Sequence, residues 1–524
     1  MNVCGIRIQA YKILIIILTF HLLRSHWILQ SYYSNTNAEQ DEVTHVKQQQ
    51  QDQLGQKKKN TKSYQTSSIK QSAVHGFPTS NNELLQNLPD WIQEYIEFHN
   101  EVRSKYPDES LITSSYRGTD KAKPKVLIRV CTWLCGGLND RLLGILYDLY
   151  IAHQTKRVYL IKWTNPYPLE EFLIPNLINW TVPYNVGLDS SQVLNGKLPH
   201  FYFKRGNYLE DAMEEFINGT RMNYNAPHKN LMNEPVVAVR YLGDDNYEYL
   251  QKRLQIEHGY EQSFIHKPPT FGYIFHALFQ PSPPIKAILQ SMQNFSNTDQ
   301  SEIKLNRPGL IPGQYHAVQA RVRHPKGVDN KVGLNGRGIK TADVSGLIFE
   351  GDYKEFAIRV ATHAVQCLLE YLHQHEDQNS DEPKIIYFFS DSNDTAAYMT
   401  GPDSPFHQPN YKSQYGYKKF KNVLIVSRPI VHDTLHIDKQ RGEEYTSDMY
   451  YDTFIDLFMA IQAKCLSYDL GNFGYLASRI SGTECKMQHR EYLWNIGGVV
   501  PRADATICTP PWLDEEGVLG SKPK

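Results

Sequence analysis

Two arginines stand two residues apart in Gln319-Ala320-Arg321-Val322-Arg323-His324-Pro325, at the end of a strand-like run that begins at Tyr315. Residues i and i+2 share one face of a strand, so both side chains can address one ligand if the strand lasts through both. A guanidinium is a planar donor fork that stays charged, which suits phosphate. The plainer reading is a solvated surface pair, since arginine is mostly exposed. A second group closes the apolar run Ile385-Ile386-Tyr387-Phe388-Phe389 with Ser390-Asp391-Ser392. Asp391 there can accept from a base edge or a ribose hydroxyl, or can simply hold its own turn. A third group is Leu470-Gly471-Asn472-Phe473-Gly474-Tyr475-Leu476-Ala477, a small-residue turn opening a helix. Free backbone N–H groups at such an opening form a cradle for a diphosphate, unless Asn472 serves only as a cap.

A fourth group lies far earlier, in Gly136-Gly137-Leu138-Asn139-Asp140-Arg141-Leu142. It follows the apolar run Lys125 to Val130 and precedes a helical pattern carried by Leu142, Ile145, Leu146 and Leu149. Asn139 or Asp140 is expected to cap that helix. The two glycines do not meet the G-x-G-x-x-G dinucleotide fingerprint.

These groups need rigid elements behind them. The pattern predicts strands at 125–130, 157–163, 236–241, 315–323, 384–390, 423–427 and 465–470, and helices over 84–105, 353–373 and 449–462. Alternating strands and helices in both halves argue for two α/β domains with largely parallel sheets. Residues 124–313 form the first, 314–510 the second, and 511–524 a tail. The run Pro281-Ser282-Pro283-Pro284 reads as a hinge or a domain edge.

Residues 1–30 carry an apolar stretch, Ile13 to Leu23, flanked by Lys12 and Arg24 and extended by Trp27, Ile28 and Leu29. We read them as a cytoplasmic tail and uncleaved signal anchor, a cleaved signal peptide being the alternative. Residues 31–80, rich in Gln, Ser, Asn and Lys, read as a disordered stem, and 81–123 as a helical neck. Beyond Cys4 there are six cysteines, an even number that allows full pairing without fixing connectivity. Net charge is −1 over 524 residues, which offers no argument for a nucleic-acid partner.

The four motifs, in this order, resemble those of the fucosyltransferase superfamily that includes the protein O-fucosyltransferases and the α1,6- and α1,2-fucosyltransferases. Gly136 to Leu142 is similar to its Gly-Gly-(Leu/Phe)-x-(Asp/Asn)-(Arg/Gln) loop. Gln319-Ala320-Arg321 lies where it carries His-x-Arg. Phe389-Ser390-Asp391-Ser392 is similar to its Ser/Thr-Asp-Ser strand end, and Asn472 to Ala477 to its Ser-x-Phe-Gly-x-x-Ala element. The resemblance implies a GT-B-like fold, two Rossmann-like domains facing across a cleft, and inverting, metal-independent transfer of fucose from GDP-fucose to a glycan or glycoprotein acceptor. It implies donor contacts from Gln319, Arg321, Arg323, Asp391, Ser392, Asn472, Phe473 and Gly474. Arg321 would neutralise the leaving diphosphate, and Asp140 is the candidate base. Gly136, Gly137, Asn139, Asp140 and Arg141 would form the acceptor side of the cleft. A membrane-anchored luminal enzyme of the Golgi or endoplasmic reticulum follows from the anchor.

One position departs from the family. Gln319 stands for the His and cannot carry positive charge. A noncatalytic luminal glycan- or glycoprotein-binding protein on the same fold is therefore the alternative. A metal-dependent glycosyltransferase of the other common fold is disfavoured, because its Asp-x-Asp occurs nowhere in the chain.

Overall fold

The computed structural model describes residues 80–106, 124–131, 135–182, 200–203, 235–241, 270–294, 309–322, 339–342, 348–351, 353–375, 383–407, 422–429, 445–468, 472–489 and 506–508, with a few single positions between them. The expected anchor, nearly all of the stem and the tail lie outside these residues. Among the described residues no helix is long and apolar enough to cross a membrane.

The neck is two helices, α1 (Asn81–Asn87) and α2 (Asp90–Lys105), where the pattern suggested one. Pro89 lacks an N–H and forces Leu88 into an extended conformation, which ends α1. Tyr95 of α2 ties the neck to the body. Its hydroxyl donates to the Arg157 carbonyl and accepts from the Tyr159 N–H.

The first sheet contains β1 (Lys125–Cys131), β2 (Arg157–Trp163), β4 (His200–Phe203) and β5 (Val236–Tyr241), in the order β2-β1-β5-β4 and parallel throughout. Between β1 and β2 runs α3 (Leu138–Gln154). Two short strands missing from the sequence reading, β3 (Leu173–Pro175) and β6 (Phe279–Pro281), pair antiparallel. They bring α4 (Thr270–Leu278) and α5 (Pro283–Gln293) against the body. The proline run is thus a helix start. Pro283 and Pro284 occupy the first turn of α5, where no N–H is needed, and Ser282 is fastened to Phe172 and Glu171 through its N–H and hydroxyl.

The second sheet contains β7 (His316–Ala320), β10 (Lys384–Ser390), β11 (Val423–Val426), β12 (Leu466–Tyr468), β13 (Lys486–Gln488) and β14 (Thr506–Ile507). A hairpin of β8 (Ile339–Ala342) and β9 (Ile348–Gly351) stands apart from it. Its helices are α6 (Tyr353–His375), α7 (Asn393–Thr400), α8 (Tyr451–Ile461) and α9 (Asn472–Ser481). All pairings are parallel and the order is β11-β10-β7-β12-β13-β14. Counted along the chain that is 3-2-1-4-5-6, the doubly wound order, with its reversal between β7 and β12.

One apolar core runs from Leu84 and Trp91 through both sheets to Phe454 and Leu476. Phe172 stacks on Phe454 at 4.5 Å and joins the two halves. All six cysteines beyond Cys4 are paired. Cys131–Cys135 closes the loop after β1, Cys367–Cys508 ties α6 to the sheet edge, and Cys465–Cys485 joins the approaches to β12 and β13.

Candidate functional site

The three later motifs meet at the carboxyl ends of adjacent strands. Register sets Phe389 beside Gln319 and Ser390 beside Ala320, so Asp391 comes next to Arg321. On the other side Ser467 pairs with Val318, which puts Tyr468 beside Gln319. The reversal of strand order lies between these two pairings. Ligands of open α/β sheets occupy the crevice at that point.

β7 ends at Ala320, three residues earlier than the sequence suggests. The cause is local. The Val322 N–H donates to Asp391 Oδ1 at 2.7 Å instead of continuing the ladder. Arg321, half-buried, is therefore the first residue past the strand. The shared-face argument for Arg321 and Arg323 needs a strand through both, and this strand stops short. Arg323 lies outside the described residues. Asp391 acts here as a turn carboxylate between two strands. Ser392 is fully buried and caps α7, accepting from the Thr395 N–H.

Gly474 opens the first turn of α9. A Cβ there would overlap Tyr468 Cβ and Gln319 Oε1, so only glycine lets the helix come this close to β7 and β12. The helix thereby turns its N-terminal N–H groups and positive end toward the sheet crevice. Phe473 sets its ring edge-on to Phe389 at 5.9 Å, leaving its backbone rather than its ring to a ligand. The Asn472 side chain and Gly471 lie outside the described residues. Gln319 is buried, and its Oε1 has no hydrogen-bond partner among the described residues.

The earlier glycine loop is built differently from the expectation. α3 starts at Leu138 and its N-cap is Gly137, so neither Asn139 nor Asp140 is the cap. Asp140, at the third helical position, reaches back to accept from the Gly137 N–H at 3.0 Å. Gly136 sits at φ +80° with Asp140 Oδ2 only 2.5 Å from where a Cβ would be, so the turn requires glycine. Arg141 is buried. It donates to the Gly136 and Asn165 carbonyls and lies over the Trp163 ring at 4.6 Å. Its guanidinium thus braces the loop from behind. Asn139 is also buried, with neither amide atom partnered among the described residues. Arg129 of β1, which the sequence did not single out, pairs with Asp148 of α3, and Tyr159 donates to the same carboxylate at 3.0 Å. A Cβ on Gly144 would be 2.9 Å from that guanidinium, so glycine lets α3 close over it. α3 packs against α9 and so joins the glycine loop's helix to the one that opens at the crevice.

A second charged cluster escaped the sequence reading. Arg428, just past β11, is buried against Asp452 (2.7 Å) and Asp456 (3.4 Å) of α8. It also donates to Asn393 Oδ1, and the Tyr387 hydroxyl donates to Asp456. Burial pushes the Asp452 carboxyl up to about 7, against the pull of Arg428 and with help from Asp456. Two signals were available: an arginine at a strand end, and carboxylates four apart on an otherwise apolar helix face.

No known family's sequence profile matches the chain, and no curated protein sequence matches it. Solved structures do. An Arabidopsis thaliana FUT1 mutant in complex with GDP is similar over 80% of this chain and 81% of its own, at 12% identity and a TM-score of 0.46. NodZ α1,6-fucosyltransferase soaked with GDP-fucose covers 68% of this chain and 93% of its own, at 12% identity and a TM-score of 0.33. The form of NodZ co-crystallised with GDP gives 11% identity and the same score, 0.33.

The geometry of the described site allows three things. Arg321 can place a positive charge at the sheet crevice. The first turn of α9 can offer backbone donors to an anion. Gln319 Oε1 can accept from a ligand hydroxyl. Among the described residues no group of three or more His, Cys, Asp or Glu could hold a metal ion.

Proposed function

We propose that the chain transfers fucose from GDP-fucose to a glycan or glycoprotein acceptor, with inversion and without a metal. The observation that carries this reading is the convergence of Arg321, Gln319 and the opening of α9 on the reversal point of the second sheet, on motifs that resemble the fucosyltransferase superfamily. The diphosphate lies on the α9 N–H groups, with Arg321 against its β-phosphate. The acceptor hydroxyl oxygen attacks the anomeric carbon from the opposite face. The bond from that carbon to the diphosphate oxygen breaks, and the charge that develops there is met by Arg321, the main electrostatic contribution to such a step. The acceptor proton leaves to a base or to water. Asp140 is the candidate base on the expected acceptor side, though its carboxylate already holds the Gly137 N–H.

Asp391 contributes by fixing the chain just past Arg321 rather than by touching the reacting atoms, and Ser392 by capping α7. Gln319 hydrogen-bonds the donor and adds no charge. Its buried Oε1, without a partner among the described residues, gains a donor when a sugar hydroxyl enters. The enzyme is read as membrane-anchored and luminal.

The test is turnover of labelled GDP-fucose by the purified chain over a glycan array, with GDP-mannose beside it and with and without a chelator. Transfer from GDP-fucose that survives the chelator supports the reading. Nucleotide binding without hydrolysis or transfer on any glycan would favour the noncatalytic alternative that Gln319 raises.

A further inference from the structure

The chain holds four Asn-x-Ser/Thr triplets, beginning at Asn179, Asn218, Asn294 and Asn393. The structure separates two of them. Asn393 is the first residue of α7, is buried, and accepts from Arg428 through Oδ1 at 3.2 Å. A glycan there would break the Arg428 cluster.

Asn179 is the opposite case. It is exposed, in the short stretch that follows β3 and the turn after it. The middle residue of its triplet, Trp180, is fully buried. Trp180 donates its ring N–H to the Leu278 carbonyl at 2.7 Å, and its own carbonyl accepts from the Ile161 N–H at 2.8 Å. With Trp180 pinned inward, Asn179 is left exposed at the turn that the Trp180 N–H closes on the Ile178 carbonyl at 3.0 Å. Thr181 then donates its hydroxyl to Asn179 Oδ1 at 2.7 Å. The carboxamide is held by its oxygen, and its nitrogen makes no hydrogen bond among the described residues.

The compartment agrees with this chemistry. All six cysteines beyond Cys4 are paired in the structure, a pattern of oxidising compartments and rare in the cytosol. Those compartments include the one in which oligosaccharides are transferred to asparagine.

We propose that Asn179 carries an N-linked oligosaccharide and that Asn393 does not. The Asn179 nitrogen forms a bond to the anomeric carbon of an oligosaccharide carried on a lipid diphosphate. The bond from that carbon to the diphosphate oxygen breaks, the lipid diphosphate leaves, and the amide gives up one proton to a base. The site is independent of the proposed transferase activity.

The test is the full-length chain expressed in a eukaryotic secretory host and treated with peptide-N-glycosidase in heavy-oxygen water. The proposal expects labelled aspartate at position 179 and unlabelled asparagine at 393. Asn179→Gln and Thr181→Ala should each remove one glycan from the gel mobility, and Thr181→Ser should keep it, which separates loss of the acceptor from loss of fold. Recovery of the peptide spanning Asn179 with its asparagine unmodified would overturn the proposal, and so would label at 393.

Discussion

Gln319 Oε1 lies 2.4 Å from where a side chain on Gly474 would begin. That close approach seats the opening of α9 on the carboxyl end of β7, and the candidate site depends on it. Gly474→Ala must displace Tyr468 Cβ, which cannot swing away as the end of a long side chain can. The expected cost is about 1–3 kcal/mol of stability, typical of overpacking, together with weaker GDP binding. Thermal unfolding and calorimetric titration check both. An unchanged melting temperature would mean that α9 sits farther from the sheet.

Asp391 makes a sharper test of positioning. Asp391→Ala removes the acceptor for the Val322 N–H, a hydrogen bond to a charged group worth roughly 1.5–3 kcal/mol. It should lower stability and reduce kcat/KM for transfer by freeing the chain at Arg321. Asp391→Asn keeps an acceptor oxygen and should recover most of both. If Asp391→Asn is stable yet loses GDP binding, the carboxylate reads the ligand directly.

Asp140 separates two roles through the same pair of substitutions. Asp140→Asn retains an oxygen for the Gly137 N–H but cannot take a proton. The structural role predicts near-normal transfer in Asp140→Asn and a loss of stability in Asp140→Ala, of about 0.5–2 kcal/mol as for a lost helix cap. A base would show instead as a large fall in kcat for Asp140→Asn at unchanged melting temperature.

The Arg428 cluster gives a pH dependence. Asp452 titrates near 7 in the folded chain and in the ordinary carboxylate range when unfolded. Between those values the folded state holds the extra proton, so stability falls as pH rises through the window. Asp452→Asn mimics the protonated form. Its melting temperature relative to the parent should climb from about pH 4.5 to about pH 7.5. A difference that does not change with pH would show that Asp452 is ionised throughout.

Much of the frame was legible in the sequence. Arg157–Trp163 and Lys384–Ser390 stand where their apolar runs suggest, because strands covered on both faces need such runs. Most of the places that misled, or that the sequence left open, turn on partners distant in sequence. β7 stops early because Val322 turns to Asp391, 69 positions on. Asn139 and Asp140 fit a cap by type, but Gly137 is the N-cap and Asp140 serves it from inside the first turn. β3 and β6 are three residues each and exist only as each other's partner. The pairing of Cys367 with Cys508, across 141 positions, depends on where the sheet edge lies. Arg428, Asp452 and Asp456 left traces that gain meaning only once α8 crosses the strand ends.

The central claim is that a GDP-sugar sits at the reversal of the second sheet with its diphosphate on Arg321. Calorimetric titration of GDP into the full chain and into Arg321→Ala tests it most directly. The account predicts saturable binding by the parent and a loss of roughly 10- to 150-fold in the folded variant, the equivalent of one charge-assisted hydrogen bond. Equal affinity in the two proteins would contradict it.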